Sequence, residues 1–454
     1  MSYPFASKID SLKFDSLVES LKEIGRNLLD HRTGENTKYE MQDAVLSAFS
    51  LFFTQSPSFL AHQRDMQRDK GKNNANSLFG VFKLPSDQQI KNLLDPIKPT
   101  VFYSIFESTF HLLNAVGALD NYRTPQGKLL IALDGVYYFS SQKISCEQCR
   151  TQKHKNDTVT YSHAILAAVL VGVNQPVVFP QSPEFLAQQD GHDKQDSEIA
   201  AAKRWLESHA SFCRDNKIIL LGDDIFCHQP LCELLIEARV EFLFVCKPDS
   251  HKTLYEWVEG LETIGGVEHL SVEMWNGKDH EISEYRIAKQ VPLRDDDDAL
   301  LVNFFECTIR RKKDHKILYQ NAFATQMDVG IETVAGYTEQ GRTRWKIENE
   351  NNNTLKNQGY HFEHNFGHGS QYLSMTLLIL NLLAFLFHSV LSLMDANYQL
   401  VRNALGTRET FFDDIRALTR YLYFDSFQAL LTFMAERLEL IPIQQIRLGS
   451  QARL

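Results

Sequence analysis

Residues 129–134 of this 454-residue chain are Leu-Leu-Ile-Ala-Leu-Asp, five apolar side chains followed directly by a carboxylate. A short apolar run of this kind is typical of a buried strand. A second run, Ile-Ile-Leu-Leu-Gly-Asp-Asp, occupies residues 218–224. Open α/β sheets place their sites beyond the ends of adjacent strands, so we expect the carboxylates of Asp134 and Asp223 to converge. Taken singly, an Asp in this position is more often a turn or helix-cap residue.

The segments around the two runs predict a mixed α/β layer. The predicted elements are strands at 129–133, 158–171 and 176–179, a helix at 197–209, a strand at 218–221, a helix at 231–238, a strand at 241–246 and a helix at 254–258. Three strands followed by alternating helices and strands describe a central sheet covered by helices.

The pattern then changes to a β-rich insertion. Alternating apolar and polar residues predict further strands at 270–274, 284–287, 300–309 and 317–324. A helix is predicted to follow at 331–356 and to contain Gly-Arg-Thr-Arg-Trp-Lys-Ile-Glu-Asn-Glu, residues 341–350.

This last helix supplies a third acidic residue. Its Arg344 and Glu348 are four apart and share one helical face, while Trp345 and Ile347 are expected to pack inward. An Arg beside a metal-binding Glu can pair with a phosphate. The alternative is an ordinary surface ion pair, and Glu350 is a second choice for the acid.

Three carboxylates of this kind suit Mg²⁺, which prefers hard oxygen ligands and keeps positions open for water and phosphate. Two such ions about 3.5–4 Å apart can activate an attacking oxygen and stabilise a leaving one in phosphodiester chemistry.

Three segments resemble the acidic motifs of bacterial insertion-sequence DDE transposases, and in particular the large superfamily with a β-insertion before the last Glu. They are Leu-Asp-Gly-Val-Tyr-Tyr-Phe-Ser-Ser (133–141), Leu-Gly-Asp-Asp-Ile-Phe (221–226) and Arg-Trp-Lys-Ile-Glu-Asn (344–349). The match runs from about residue 128 to 390. The resemblance implies a ribonuclease-H-like fold, two Mg²⁺ ions for which Mn²⁺ can substitute, and strand cleavage and transfer at terminal inverted repeats.

The resemblance also implies roles for single residues. Asp134, Asp223 and Glu348 match the three catalytic, metal-binding acids. Asp224 is a rival for the second position, but the family pattern has an aromatic residue three after the acid, as Phe226 is after Asp223.

Around the third acid the chain matches the family only in part. Arg344 matches the phosphate-contacting Arg of the family. The family often has Tyr three residues earlier, where this chain has Gly341, and Lys seven residues after the Glu, where Lys356 comes one residue late. Since Asn351 to Asn353 are poor helix formers, a distorted helix could still bring Lys356 into place.

The resemblance leaves two other functions open, namely a metal-dependent DNA nuclease of the same fold without strand transfer, and a domesticated transposase-derived DNA-binding protein. The expected partners are double-stranded DNA, as terminal repeats and target, and a second copy of the chain, because two DNA ends must be held together. The expected location is the bacterial cytoplasm, at the nucleoid, without a membrane.

The formal net charge is -10, so DNA contacts must come from local basic clusters. One cluster is the run Arg310 to Lys313, which could equally be solvated charge. The residues predicted to contact DNA are Arg344, Lys356, Arg342, Lys346, Arg310, Arg311 and Lys312.

Seven irregularly spaced cysteines and no recognisable leader favour a reduced intracellular compartment. Cys146, Cys149, His154 and His163 form a C-x2-C-x4-H-x8-H array that suits tetrahedral Zn²⁺, although reduced thiols without metal are the alternative. His361, His364 and His368 lie in a glycine-containing loop after the Glu-bearing helix. They are predicted either to touch DNA or shape the site, or to form a local hydrogen-bond network.

Five regions are predicted along the chain. They are a helical, DNA-end-binding candidate domain at 1–125, the first part of the catalytic core at 126–262, the insertion at 263–328, the Glu helix and a core-completing helix at 329–394, and a C-terminal helical region at 395–454. In the first region, helices are predicted at 14–29, 41–53 and 101–116, with a mobile loop at 67–77. The apolar stretch 372–394 is expected to be a buried core helix rather than a membrane span.

Overall fold

A computed structural model of the chain describes residues 8–33, 37–66, 69–187 and 196–442. Its helices are α1 (Phe14–Asn27), α2 (Met41–Phe53), α3 (Phe59–Met66), α4 (Asp69–Phe79), α5 (Asp87–Leu94), α6 (Tyr103–Ala115), α7 (Glu198–Asp215), α8 (Gln229–Glu237), α9 (Lys252–Thr263), α10 (Val334–Arg342), α11 (Asn353–Asn357), α12 (Leu373–Met394), α13 (Ala396–Ala404), α14 (Arg408–Tyr421) and α15 (Phe427–Arg437).

The strands are β1 (Leu129–Ser141), β2 (Arg150–Lys153), β3 (Val159–Val171), β4 (Phe179–Pro180), β5 (Glu184–Leu186), β6 (Ile218–Gly222), β7 (Glu241–Val245), β8 (Glu268–Trp275), β9 (His280–Pro292), β10 (Leu301–Arg311) and β11 (Ile317–Thr325). The chain divides into two compact units. Among the described residues, the first comprises those within 1–118, 138–162 and 353–454, and the second comprises those within 119–137 and 163–352. The five regions predicted along the sequence stay a prediction, and their terminal residues 1–7 and 443–454 lie outside the described part of the chain.

The first unit is mainly helical and is organised around two apolar helices. Every residue of α2 is buried. Helix α12 is long and apolar enough to cross a membrane by length and composition, and 83% of its most apolar window is buried inside the chain. The two helices meet through aromatic rings, since Phe49 and Phe387 lie 5.2 Å apart between centroids. This burial agrees with the expectation of a core helix at 372–394.

The mobile loop predicted at 67–77 is wrong from residue 69 onward, because helix α4 begins there. Residues 67 and 68 lie outside the described part. The buried side chain of Asn74 donates to the carbonyl oxygens of Thr419 at 2.7 Å and Leu422 at 2.6 Å, and accepts from the Phe424 amide at 3.0 Å. These tertiary contacts outweigh the weak helix propensity of a segment rich in Asn and Gly.

The second unit contains most of a mixed sheet, in the order β3-β1-β6-β7-β11-β10-β9-β8, with β4 and β5 also paired to β3 and β2 paired to the part of β3 that lies in the first unit. Strands β1, β6 and β7 are parallel to one another. The four strands β8 to β11 are antiparallel and lie where the sequence predicts a β-rich insertion. They extend the same sheet, because β11 pairs with β7. The third predicted strand is displaced from 176–179 to Phe179–Pro180, a two-residue pairing with β3.

Two predicted elements differ from the structure near the acidic residues. Strand β1 continues to Ser141, so Asp134 lies inside the strand instead of at its end. The continuous helix predicted at 331–356 is broken. After α10 come a 3₁₀ turn at Thr343–Trp345 and a π-helical stretch at Ile347–Asn352, as the run of asparagines suggested.

Helix α10 fits against the sheet because residue 341 has no side chain. A Cβ placed on Gly341 would lie 2.5 Å from Cε1 of Phe323 on β11, inside van der Waals contact. The tyrosine that the resembled family often has there would meet the same ring. A glycine at this position therefore sets the distance between the helix and the sheet.

We predict that Gly341→Ala lowers the free energy of unfolding by about 1–3 kcal/mol, because the methyl group overpacks against Phe323. Gly336→Ala in the same helix is the matched control, since nothing lies within 4 Å of its Cβ position. The control should stabilise by up to about 1 kcal/mol through helix propensity. Urea unfolding measures both, and equal stability of the two variants would contradict this packing.

Candidate functional site

Asp134 and Asp223 are brought together by the pairing of β1 with β6. The two strands run parallel with Leu129 beside Ile218 and Ala132 beside Leu221. The same offset, continued along the strands, puts Asp134 beside Asp223. Since β6 ends at Gly222, Asp223 begins the loop while Asp134 remains on its strand. The strand register therefore places the two carboxylates side by side, as the sequence predicts.

Asp223 and its rival Asp224 differ in what their side chains bind. Asp223 caps a 3₁₀ turn, and one of its carboxylate oxygens accepts from the Ile225 amide at 3.1 Å. Asp224 accepts from the Lys247 amide at 2.6 Å and from the Ser250 hydroxyl, and it lies 3.4 Å from Nε2 of His251. The carboxylate of Asp224 is thus tied to the loop after β7, whereas that of Asp223 is held by the local bond of its own turn.

The third acid lies on the distorted helix and faces the predicted arginine. Nη1 of Arg344 lies 2.7 Å from Oε1 of Glu348, and the Glu348 side chain is half exposed. Ile347 is fully buried, as predicted, but Trp345 is 48% exposed, so its predicted inward packing is wrong. The change from a 3₁₀ turn to a π-helical stretch between these residues alters which side chains face inward.

Charge accumulates around Asp134. Burial, together with the negative charges of Glu348, Asp223 and Glu198, raises the pKa of its carboxyl group to about 7, whereas Arg344 opposes this shift. Burial also raises the pKa of Asp223, against the hydrogen bond from the Ile225 amide and the positive charge of Arg344. Partly buried carboxyls with raised pKa values, as at Asp134 and Asp223, are characteristic of functional sites and need positive charge to stay ionised.

Two residues of this group were missed by the sequence analysis. Nδ2 of Asn352 donates to Oδ2 of Asp134 at 2.8 Å. Glu198 begins α7, after the cap Ser197, and approaches the backbone of Gly135 so closely that a Cβ there would lie 2.2 Å from its Cδ. The sequence signals are weak, because Asn352 stands out only as a poor helix former and a Glu in the first turn is ordinary capping.

Three further residues predicted to contact DNA, Arg342, Lys346 and Lys356, make different contacts within the protein. The guanidinium of Arg342 lies over the Tyr319 ring, 4.5 Å from its centroid. The ammonium of Lys346 donates to the carbonyl of Gln175, and burial lowers its pKa. Lys356 belongs to the first unit and pairs with Glu363 at 2.8 Å.

The basic run 310–313 lies at the β10–β11 turn and is matched by acidic side chains. The pairs are Arg310 with Glu284 at 3.0 Å, Arg311 with Asp314 at 3.1 Å, Lys312 with Glu273 at 2.7 Å and Lys313 with Asp279 at 2.9 Å. Neighbouring carboxylates reduce the net positive potential that a phosphate would meet. DNA binding by Arg310, Arg311 and Lys312 stays a prediction.

The predicted cysteine and histidine array is assembled differently. Cys146 and Cys149 lie together in the first unit with His368, a residue of the loop before α12. His154 is wrong as a member, because it is exposed and its Nε2 bonds to Oγ1 of Thr160 at 2.8 Å. A second buried group, with no regular spacing in sequence, consists of Cys227, Cys246 and His251 in the second unit.

Comparison with known proteins gives little beyond this geometry. No family model and no curated protein matches the chain. Among solved structures, a cryo-EM structure of the piggyBac transposase synaptic complex with hairpin DNA matches with 13% sequence identity and a TM-score of 0.40, over 98% of this chain and 83% of that one. A likeness at this level leaves the function to be argued from the site.

The raised pKa of Asp134 predicts a pH-dependent stability. An aspartic acid side chain ordinarily has a pKa of 3.8, whereas in the folded protein the value for Asp134 is about 7. Between these values the folded state therefore holds the proton more tightly than the unfolded state does. Tighter proton binding at Asp134 therefore stabilises the folded state. This stabilisation is complete below about pH 4 and is lost as the pH rises through about 7, an effect on the order of 4 kcal/mol.

The test is urea unfolding from about pH 4 to 8 in a chelator. Asp134→Asn should become more stable relative to the unaltered protein as the pH rises, whereas Asp120→Asn, at an exposed carboxyl of the same unit, should follow the unaltered protein. Parallel curves for all three proteins would show that Asp134 is an ordinary carboxyl.

Proposed function

We propose that the chain is a DNA transposase of the DDE type, which cleaves and transfers strands at the terminal inverted repeats of its own element with Mg²⁺ held by Asp134, Asp223 and Glu348. The observation that carries the proposal is the group of acids around Asp134, formed by parallel strands and the Arg344–Glu348 helix. The three motifs that resemble insertion-sequence transposases lie on these same elements.

The sheet order supports a ribonuclease-H-like core within the second unit. Along the chain β1, β3 and β5, with the short strands β2 and β4 between them, are followed by α7, β6, α8 and β7, and the sheet contains the order β5-β3-β1-β6-β7. The acids lie on strand β1, directly after the end of β6, and on a helix that follows the sheet. The strands β8 to β11 intervene between β7 and that helix, as expected for a superfamily with a β-insertion before the last Glu.

The residues fit Mg²⁺ by the chemistry of their donor atoms. Carboxylate oxygens of Asp134, Asp223 and Glu348 are hard ligands, and crowding their negative charges at a partly buried place is costly unless a cation neutralises them. Asp134 and Asp223 are the ligands from the sheet, and Glu348 is the ligand from the helix. When bound, two Mg²⁺ ions supply charge neutralisation at the phosphate and lower the pKa of the attacking hydroxyl or water.

The other side chains orient these ligands and the DNA. Asn352 holds one oxygen of Asp134, which leaves the other oxygen for the metal. Arg344 pairs with Glu348 in the absence of DNA and is positioned to exchange this partner for a phosphate oxygen, for which its planar guanidinium is suited. Glu198 adds negative charge beside Asp134 and makes metal binding more favourable.

The chemistry follows from these roles. A water molecule attacks the phosphodiester at the transposon end, and the freed 3′ hydroxyl then attacks a second strand. Both reactions displace an oxygen at phosphorus, so the same three carboxylates serve both. Because two ends must be held together, we expect a dimer on DNA.

The experiment is cleavage of a labelled fragment with the terminal repeat that flanks the gene, in Mg²⁺ or Mn²⁺. Asp134→Ala, Asp223→Ala and Glu348→Ala should each reduce nicking at the repeat boundary to background, because each removes a metal ligand. Glu350→Ala is the matched control on the same helix and should stay active.

The products separate the remaining functions. Joining of the nicked ends to target DNA supports transposition, whereas nicking without joining would indicate a nuclease of the same fold. Specific binding without cleavage by the unaltered protein would contradict the proposal and favour a domesticated DNA-binding protein. Activity in Glu348→Ala with loss in Glu350→Ala would mean that the third ligand is Glu350.

A further inference from the structure

Three soft ligands meet in the first unit, whereas the carboxylates of the proposed active site belong to the second. Cys146 and Cys149 lie on the segment between β1 and β2, and His368 lies on the segment before α12. The Sγ atoms of the two cysteines are 3.8 Å apart, and Sγ of Cys149 is 3.5 Å from Nε2 of His368. Cys149 and His368 are buried, and Cys146 is partly exposed.

These separations are those of ligands around one zinc ion. Tetrahedral Zn²⁺ with Zn–S of about 2.3 Å and Zn–N of about 2.0–2.1 Å sets two sulfurs about 3.8 Å apart and a sulfur and a nitrogen about 3.6 Å apart. The observed 3.8 Å and 3.5 Å agree with both values. The three donor atoms all lie within 4.8 Å of one another, a separation that a single ion can bridge.

The backbone of the Cys-x-x-Cys turn is also arranged for thiolates. The amide of Cys149 donates to the carbonyl of Cys146 at 3.1 Å and closes the turn. The amide of Cys146 donates to Sγ of Cys149 at 3.4 Å, and an N–H pointed at sulfur stabilises negative charge there. The imidazole of His368 packs on the Phe139 ring, 4.4 Å between centroids, which helps to fix its orientation.

We infer that Cys146, Cys149 and His368 bind a structural Zn²⁺ ion. The ion joins the segment after β1 to the segment before α12, two parts of the first unit that are more than 200 residues apart in sequence. His163, which the sequence also puts forward as a ligand, is buried on β3 in the second unit and is not part of this inference. The site is independent of the Mg²⁺ chemistry, since its donors are sulfur and nitrogen and those of the proposed active site are oxygen.

A disulfide between the two cysteines is the competing state. A disulfide needs its sulfurs about 2.05 Å apart, whereas these are 3.8 Å apart, a distance that a zinc ion fills without movement. The two states are separated by measuring the metal under reducing conditions.

The experiment measures bound metal in the purified full-length chain. Under reductant the protein should hold one zinc ion, and replacement by Co²⁺ should give the thiolate-to-cobalt charge-transfer band and the intense visible absorption of tetrahedral cobalt. Cys149→Ser and His368→Ala should each lose the zinc and the spectrum and unfold at a lower temperature. His368→Cys should keep the metal with a changed spectrum, because a thiolate can replace the imidazole.

Cys213→Ser is the matched control, because Cys213 is buried in the second unit and belongs to neither group of metal-ligating side chains. It should keep both zinc and spectrum. The inference is overturned if the reduced, folded protein binds neither zinc nor cobalt. It is also overturned if Cys149→Ser and His368→Ala keep the full zinc content, in which case Cys227, Cys246 and His251 would be the group to examine.

Discussion

The carboxyl group of Asp134 is partly buried on a central strand, where the negative charges of Glu348, Asp223 and Glu198 act on it. Burial and like charge raise its pKa to about 7, so the chain alone holds it in balance between the neutral and ionised forms. Arg344 supplies the counter-charge that the protein itself offers. In the proposed function, a divalent cation supplies the remaining positive charge, so the group of acids serves as a metal-binding site.

The elements around Asp134 are shaped to bring the charges together. Parallel pairing of β1 and β6 aligns Asp134 with Asp223, and Gly135 leaves space for Glu198. The π-helical stretch at Ile347–Asn352 lets Ile347 pack inward while Asn352 reaches Asp134. π-Helical stretches are rare and occur often at functional sites. They disturb the regular hydrogen bonding of an α-helix, so they are found where the position of a side chain requires it.

Much of this arrangement follows from the sequence. Apolar runs that end in acids predict the two central strands. The spacing of Arg344 and Glu348 puts them on one helical face, where the ion pair that the sequence analysis gave as the alternative is observed. What local patterns cannot supply are contacts between distant segments. The segment around Asn74 is helical where composition predicts a loop, because the Asn74 side chain donates to the backbone carbonyl of Leu422. His368 joins cysteines more than 200 residues away, whereas spacing along the chain points to the nearby His154.

The most direct test of the account is to locate Mn²⁺ in crystals of the unaltered protein by its anomalous scattering. The account predicts manganese bound to oxygens of both Asp134 and Asp223, at about 2.1 Å as for a small hard cation. Glu348 is predicted to join them on the side that faces Arg344. Saturating Mn²⁺ that leaves these carboxylates without metal, or that is held only elsewhere in the chain, would contradict the account.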